Sequence, residues 1–163
     1  MDEAEVALRA AVITVSDRSA RGERDDLSGP EAVAALRVAG FDCPDAVVVP
    51  DGAESVERAL VAMIAAGSRL IVTTGGTGLG PRDETPEGTR LVLEREIPGI
   101  SEELRRIGAA EMPSGMLSRG LAGVARGALI VNLPGSPSGV RSGMPVVLSV
   151  AKHVISQVAG EDH

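Results

Sequence analysis

Four short runs of nearly unbroken apolar character punctuate the chain, at residues 8–15, 46–49, 69–73 and 128–133. Each is rich in Val and Ile and lacks polar alternation, so each predicts a strand buried on both faces. Helical periodicity fills the intervals. Ser28-Gly29-Pro30-Glu31 has Ser and Glu at capping-box spacing and opens a helix that runs to Gly40. A second helix is predicted over residues 54–66, with Val56, Leu60, Met63 and Ile64 on one stripe and Gly67 as its stop. Thr85-Pro86-Glu87 predicts a third, with Thr85 as cap, and Pro98-Gly99 breaks it. Residues 101–110 are helical again, with Leu104 and Ile107 inward. A long closing helix gathers Val140, Met144, Val147, Ala151, Val154, Ile155 and Val158 on one face, with Pro145 near its start or at a kink. Residues 116–127 read as turns, with room for a short extra strand before Ala128. Strand and helix in alternation predict an α/β fold: a three-layer sandwich with a mostly parallel central sheet and helices on both faces.

Composition narrows what this fold can do. The 163 residues fit one domain, 1–163, and 44% hydrophobic with 24% charged residues is ordinary for a water-soluble protein. Phe41 is the only aromatic residue, so stacking of bases on aromatic rings is unavailable. A net charge of −7 repels phosphate backbones at long range, which argues against nucleic acid. No apolar run is long enough for a membrane span, and the acidic start Met1-Asp2-Glu3-Ala4-Glu5 is unlike a signal peptide, so the expectation is a cytoplasmic protein without membrane contact. Cys43 has no disulfide partner, and with only His153 and His163 beside it there is no His/Cys metal constellation.

Candidate chemistry lies where the strands end, because open parallel sheets bind ligands beyond their carboxyl edge. Ser16-Asp17, Pro50-Asp51, the segment Thr74-Gly75-Gly76-Thr77-Gly78-Leu79-Gly80-Pro81-Arg82-Asp83, and Pro134-Gly135-Ser136-Pro137 follow the four strands. The glycine-rich segment can turn backbone N–H groups toward an anion without Cβ interference. It is not a Walker loop, since no Gly-Lys-Ser/Thr follows, and Pro81 spoils dinucleotide-binding spacing. Asp17, Asp51 and Asp83 at the same edge would repel phosphate unless a divalent cation intervened, which suggests Mg²⁺-nucleotide chemistry. The Pro134 to Pro137 turn enters the last helix, where a second anion could meet its amides. Ser28 and Gly29 open a further helix at this edge, with capping the simplest role for Ser28.

These motifs resemble, over nearly the whole chain and in the same order, the molybdopterin adenylyltransferases: the bacterial Mog and MoaB proteins and the G domain of gephyrin and its plant counterpart. Carrying the resemblance are Thr14-Val15-Ser16-Asp17, Asp26-Leu27-Ser28-Gly29-Pro30, Val49-Pro50-Asp51, residues 73–86, Ile97-Pro98-Gly99, Leu117-Ser118-Arg119 and residues 132–137. It implies a homotrimer that transfers AMP from ATP to the terminal phosphate of molybdopterin with Mg²⁺, and hands its product to a molybdate-insertion enzyme. The family's two important aspartates match Asp51 and Asp83, as catalytic residues and Mg²⁺ ligands. Its nucleotide and pterin contacts match Gly75, Gly76, Thr77 and Gly78 with residues 134–137, and Arg82 is assigned to charge stabilisation. Two other readings stay open: a pterin-binding relative without catalysis, and an unrelated nucleotide hydrolase that would release free phosphate.

Overall fold

The computed structural model describes residues 5–161; Met1 to Ala4 of the acidic start, and His163, lie outside them. Its sheet begins with β1 (Ala10–Val15), flanked by β2 (Val47–Val49) and β3 (Leu70–Thr74), with β6 (Ala128–Leu133) beyond β3, all four parallel. Register places Thr14 beside both Val48 and Thr74, and Thr74 beside Leu133, so the carboxyl ends of these strands finish level. β5 (Ala122–Ala125) runs antiparallel to β6, and β4 (Arg95–Glu96) antiparallel to β5. The full order is β2-β1-β3-β6-β5-β4.

Side chains of β1, β3 and β6 alternate between two cores, which is why their sequences read as continuous apolar runs. On one face Ala10, Val12, Leu70, Val72, Leu129 and Val131 pack against α2 (Ser28–Val38), α5 (Pro98–Glu111) and α6 (Pro137–Val158). On the other, Ile13, Val15, Ile71 and Ile130 meet Val56, Ala59 and Leu60 of α3 (Ala53–Ala65). Two helical layers therefore enclose one sheet, and α4 (Thr85–Arg90) lies beside α3. Among the described residues no helix is long and apolar enough to cross a membrane.

Several expectations change in detail. β2 is an edge strand, not one buried on both faces: Val47 and Val48 stay 42% and 36% exposed. A three-residue apolar run cannot reveal that no further strand lies beyond it. Pro98 does not break a long helix but occupies the first turn of α5, where its missing N–H costs nothing; α4 has already ended at Arg90. Residues 113–117 form a short 3-10 helix, and the extra strand before Ala128 is present as β5. Pro145 lies well inside α6, exposed, so the carbonyl it leaves without an intrahelical donor, that of Arg141, faces the solvent side. Ser28 does not cap α2. Leu27 occupies the cap position, and Asp26, one residue earlier, serves the first turn, its Oδ1 accepting from the Gly29 N–H at 2.9 Å. Thr85 is likewise inside α4, with Glu84 at the cap position.

Candidate active site

The level strand ends gather the loops after β1, β2, β3 and β6 around one cleft of about 360 Å³, within the range of small-molecule sites. Of the residues singled out from sequence, Ser16, Ser28, Asp51, Thr74, Gly75, Gly76, Asp83, Gly135, Ser136 and Pro137 line it. Asp17, Gly29, Thr77, Gly78, Arg82 and Pro134 are not part of this lining, and Arg82 and Pro134 each border a different cavity. The segment connecting α1 (Asp17–Ala20) to α2 adds Arg24, Asp25, Asp26 and Leu27, which sequence reasoning had not placed at the site.

Glycine is required at the floor of the cleft for steric reasons. Gly75 and Gly76 have φ of +94° and +69°, a region strained for L side chains. A Cβ on Gly75 would collide with the Val15 carbonyl, and one on Gly135 would sit 3.2 Å from the Gly75 Cα. The turns after β1, β3 and β6 are thus packed backbone to backbone. The Thr85 hydroxyl donates to the Gly75 carbonyl at 2.9 Å, and its N–H to the Gly76 carbonyl at 3.0 Å, which ties α4 to the loop. The Ser28 hydroxyl donates to the Gly135 carbonyl at 2.5 Å, joining α2 to the turn after β6. Ser136 caps α6, accepting from the Gly139 N–H at 3.1 Å.

The aspartates form a connected set. The Asp17 N–H donates to Asp51 Oδ2 at 2.9 Å while the Asp51 N–H donates to Asp17 Oδ1 at 3.1 Å. Arg82 grips Asp17 with Nε and Nη2, both at 3.1 Å, and donates from Nη2 to the Asp51 carbonyl at 2.9 Å. This fork holds the Asp17 carboxyl below the usual carboxylate range, through its hydrogen bonds against the opposing effect of burial. Asp51 is pushed the other way, chiefly by burial; the hydrogen bond from the Asp17 N–H opposes that rise, and the charges of Asp17 and Asp83 add to it in smaller measure. Arg82 therefore fastens the Asp17 and Asp51 loops together. Asp83 Oδ2 accepts from the Gly80 N–H at 2.9 Å, closing a small turn in which a Cβ on Gly78 or Gly80 would crowd that same oxygen.

Two supporting residues were not among the candidates read from the sequence. Arg119 bonds the glycine loop from outside the cleft, and buried Asn132 donates to Thr73 and Thr89 hydroxyls at 3.0 Å while its Oδ1 accepts from the Leu121 N–H. Both act across strands distant in sequence. Cys43 is buried and lies away from the cleft lining, its thiol pushed up by that burial.

Comparison with known proteins sets this geometry in a family. The model described as "Probable molybdopterin binding domain" matches residues 11–153. The chain belongs to this family. Within it, a molybdopterin adenylyltransferase of Helicobacter pylori is 32% identical over 156 residues, 94% of this chain and 89% of that protein. A molybdenum cofactor biosynthesis bifunctional protein of Synechococcus elongatus is 40% identical over 154 residues, 94% of this chain. The chain spans 48% of that protein's length, and 22% and 51% of two further relatives, a gephyrin and a second bifunctional protein. Among solved structures, the molybdopterin biosynthesis Mog protein of Mycobacterium ulcerans superposes with a TM-score of 0.88 at 44% identity, covering 93% of this chain and 99% of that one. The family's fold is therefore the three-layer α/β arrangement seen here.

Proposed function

We propose that this chain is a cytoplasmic enzyme of molybdenum cofactor biosynthesis, a single unit over residues 1–163 that transfers AMP from ATP to molybdopterin. The observation that carries this reading is the convergence, on one cleft, of a side-chain-free loop at Gly75 and Gly76, a helix-opening turn at residues 134–137, and the carboxylates of Asp51 and Asp83. The terminal phosphate oxygen of molybdopterin attacks the α-phosphorus of ATP. One P–O bond forms to that phosphorus, the bond to the bridging oxygen of the β-phosphate breaks, and pyrophosphate departs with the electron pair. The nucleophile is already ionised, so the chemistry needs no histidine or cysteine, and the cleft lining contains neither. Catalysis then rests on alignment and charge neutralisation.

The donor set suits Mg²⁺, a cation that takes one or two carboxylates and completes its shell with phosphate oxygens and water. Asp51 and Asp83 would hold it. One observation fits: the Asp51 carboxyl is already raised by burial and by neighbouring carboxylates, a cost that a cation relieves. The ion would neutralise charge on the phosphates when bound. The Gly76 N–H of the glycine loop and the hydroxyls of Ser16 and Ser136 orient the anionic groups, with the turn at residues 134–137 and the start of α6 receiving the second, while Ser28, its hydroxyl committed to the Gly135 carbonyl, holds that turn in place. Asp17 and Arg82 act one step back, holding Asp51. A homotrimer and hand-over of adenylylated molybdopterin to a molybdate-insertion enzyme complete the proposal, on the strength of the family.

Asp83→Asn separates this enzyme from a carrier that only binds pterin. The expected result is retained molybdopterin binding with loss of AMP transfer, measured by calorimetry and by product chromatography. Unchanged turnover in that variant removes Asp83 from the mechanism.

A further inference from the structure

The loop between β3 and α4 is the least constrained part of the cleft by composition, since Gly75, Gly76, Gly78 and Gly80 offer no side chains to pack. Backbone freedom of that kind costs conformational entropy to freeze. The bonds that Asp83 makes within the loop are local: its N–H donates to the Gly80 carbonyl at 3.0 Å and its Oδ2 accepts from the Gly80 N–H at 2.9 Å. Such a turn can move as a unit and carry the carboxylate with it. Arg82, its neighbour in sequence, is committed to Asp17 and the Asp51 carbonyl.

Arg119 supplies a further anchor beyond those of Thr85 and Arg82, from the segment that leads into β5. Its backbone N–H donates to the Thr77 carbonyl at 2.9 Å. From its guanidinium, Nε donates to the Gly78 carbonyl at 2.9 Å and Nη2 to the Asp83 carbonyl at 2.8 Å. Nη1 donates to the Glu87 carboxylate at 2.7 Å, fixing the same group to the first turn of α4. One planar fork thereby spans the near limb of the loop, its far end at Asp83, and the helix that follows. Lysine offers a single compact head and cannot reach three acceptors in different directions at once.

We infer that Arg119 is a positioning residue for Asp83, setting that carboxylate in the cleft through the carbonyl of its own backbone. The inference deepens the adenylyl-transfer reading and its kinetic arm rests on that reading. It carries a consequence that general structural support would not: the loop loosens and turnover falls while the sheet and pterin affinity stay as they were.

The test uses Arg119→Ala and Arg119→Lys in the full chain, with Glu87→Gln as a milder release of the fork. In amide hydrogen exchange without substrate, Arg119→Ala is expected to speed exchange at Gly80 and Asp83 by roughly tenfold or more, leaving β3 and β6 amides unchanged. In the transfer assay kcat is expected to fall about 10- to 100-fold, with the KM for molybdopterin within about twofold, as misplacement of one group predicts. Low-millimolar guanidinium should partly restore Arg119→Ala, and Arg119→Lys should remain impaired. Exchange that is unchanged at Gly80 and Asp83, or that rises equally across the sheet, overturns the positioning role, as does a wild-type kcat in Arg119→Ala. A wild-type protein that makes no product removes the adenylyl-transfer reading instead, because the exchange arm needs no substrate.

Discussion

Replacing Gly76 with alanine tests whether the floor of the cleft is as tightly specified as its geometry indicates. Two costs combine there. The φ of +69° is strained for any L side chain by roughly 1–2 kcal/mol. The new Cβ would also run into the Thr85 hydroxyl, itself hydrogen-bonded to the Gly75 carbonyl, and lie 3.3 Å from Asp51 Oδ1. Thr85 is fully buried, so turning its hydroxyl away strands that carbonyl at about 1–3 kcal/mol. The sum is about 2–5 kcal/mol of folding stability, or a Tm lowered by about 5–15 °C for a chain of this size. Gly22 is the natural control: its φ is +73°, yet nothing lies within 4 Å of its added Cβ. Gly22→Ala should therefore show the backbone strain alone. Urea denaturation of the two variants should differ by about 1–3 kcal/mol, the cost of the lost hydrogen bond. Adding Thr85→Ala to Gly76→Ala should cost less than the two changes summed, since the obstruction is already gone. Equal losses in Gly76→Ala and Gly22→Ala, or strict additivity with Thr85→Ala, would refute the steric argument.

Other expectations follow from the same contacts. Ser28→Ala should destabilise by about 0.5–1.5 kcal/mol, the net worth of its hydrogen bond to the exposed Gly135 carbonyl, and Asp26→Ala by about 0.5–2 kcal/mol as the Gly29 N–H in the first turn of α2 loses its acceptor; denaturation midpoints check both. Because burial and neighbouring carboxylates raise Asp51, the acid limb of kcat/KM should lie above the ordinary value of 3.8. It should move to lower pH in any Asp17→Asn protein that still turns over, as one like charge is gone; an unmoved limb assigns it to another group. Asp17 has the opposite sign. Its folded pKa is depressed, so its contribution to stability is present above the unfolded value and lost as pH falls through the folded one. Arg82→Met should weaken that acid-side dependence without abolishing it, because the Asp51 N–H still donates to Asp17, and should change stability little near neutrality, since the Arg82 side chain is 61% exposed.

Where the sequence could be read, the reason is local. The strands β1, β3 and β6 are legible because burial on both faces makes each open as an unbroken apolar run, with the polar Thr14, Thr73, Thr74 and Asn132 confined to the carboxyl ends. The stop of α3 at Gly67, with φ of +91°, follows from glycine's freedom alone. Edge and cap assignments depended on partners distant in sequence. Asp26 and Ser28 are both good caps by residue type, and only the Gly135 carbonyl, more than a hundred residues away, decides that Ser28 turns elsewhere. Asp51 and Asp83 could be placed at the site because each follows a strand by a short loop. Arg119 could not, since nothing in its own neighbourhood announces that its acceptors lie in the loop after β3. Asp17 and Arg82 were expected at the ligand; what the fold shows of them is a clasp with Asp51.

The most direct measurement is the fate of the label when the protein, Mg²⁺ and molybdopterin are mixed with ATP labelled at the α-phosphate. The account predicts that label in adenylylated molybdopterin, with one pyrophosphate released per transfer. Label recovered as free AMP with pterin unmodified, or as untouched ATP while molybdopterin remains tightly bound, would contradict it.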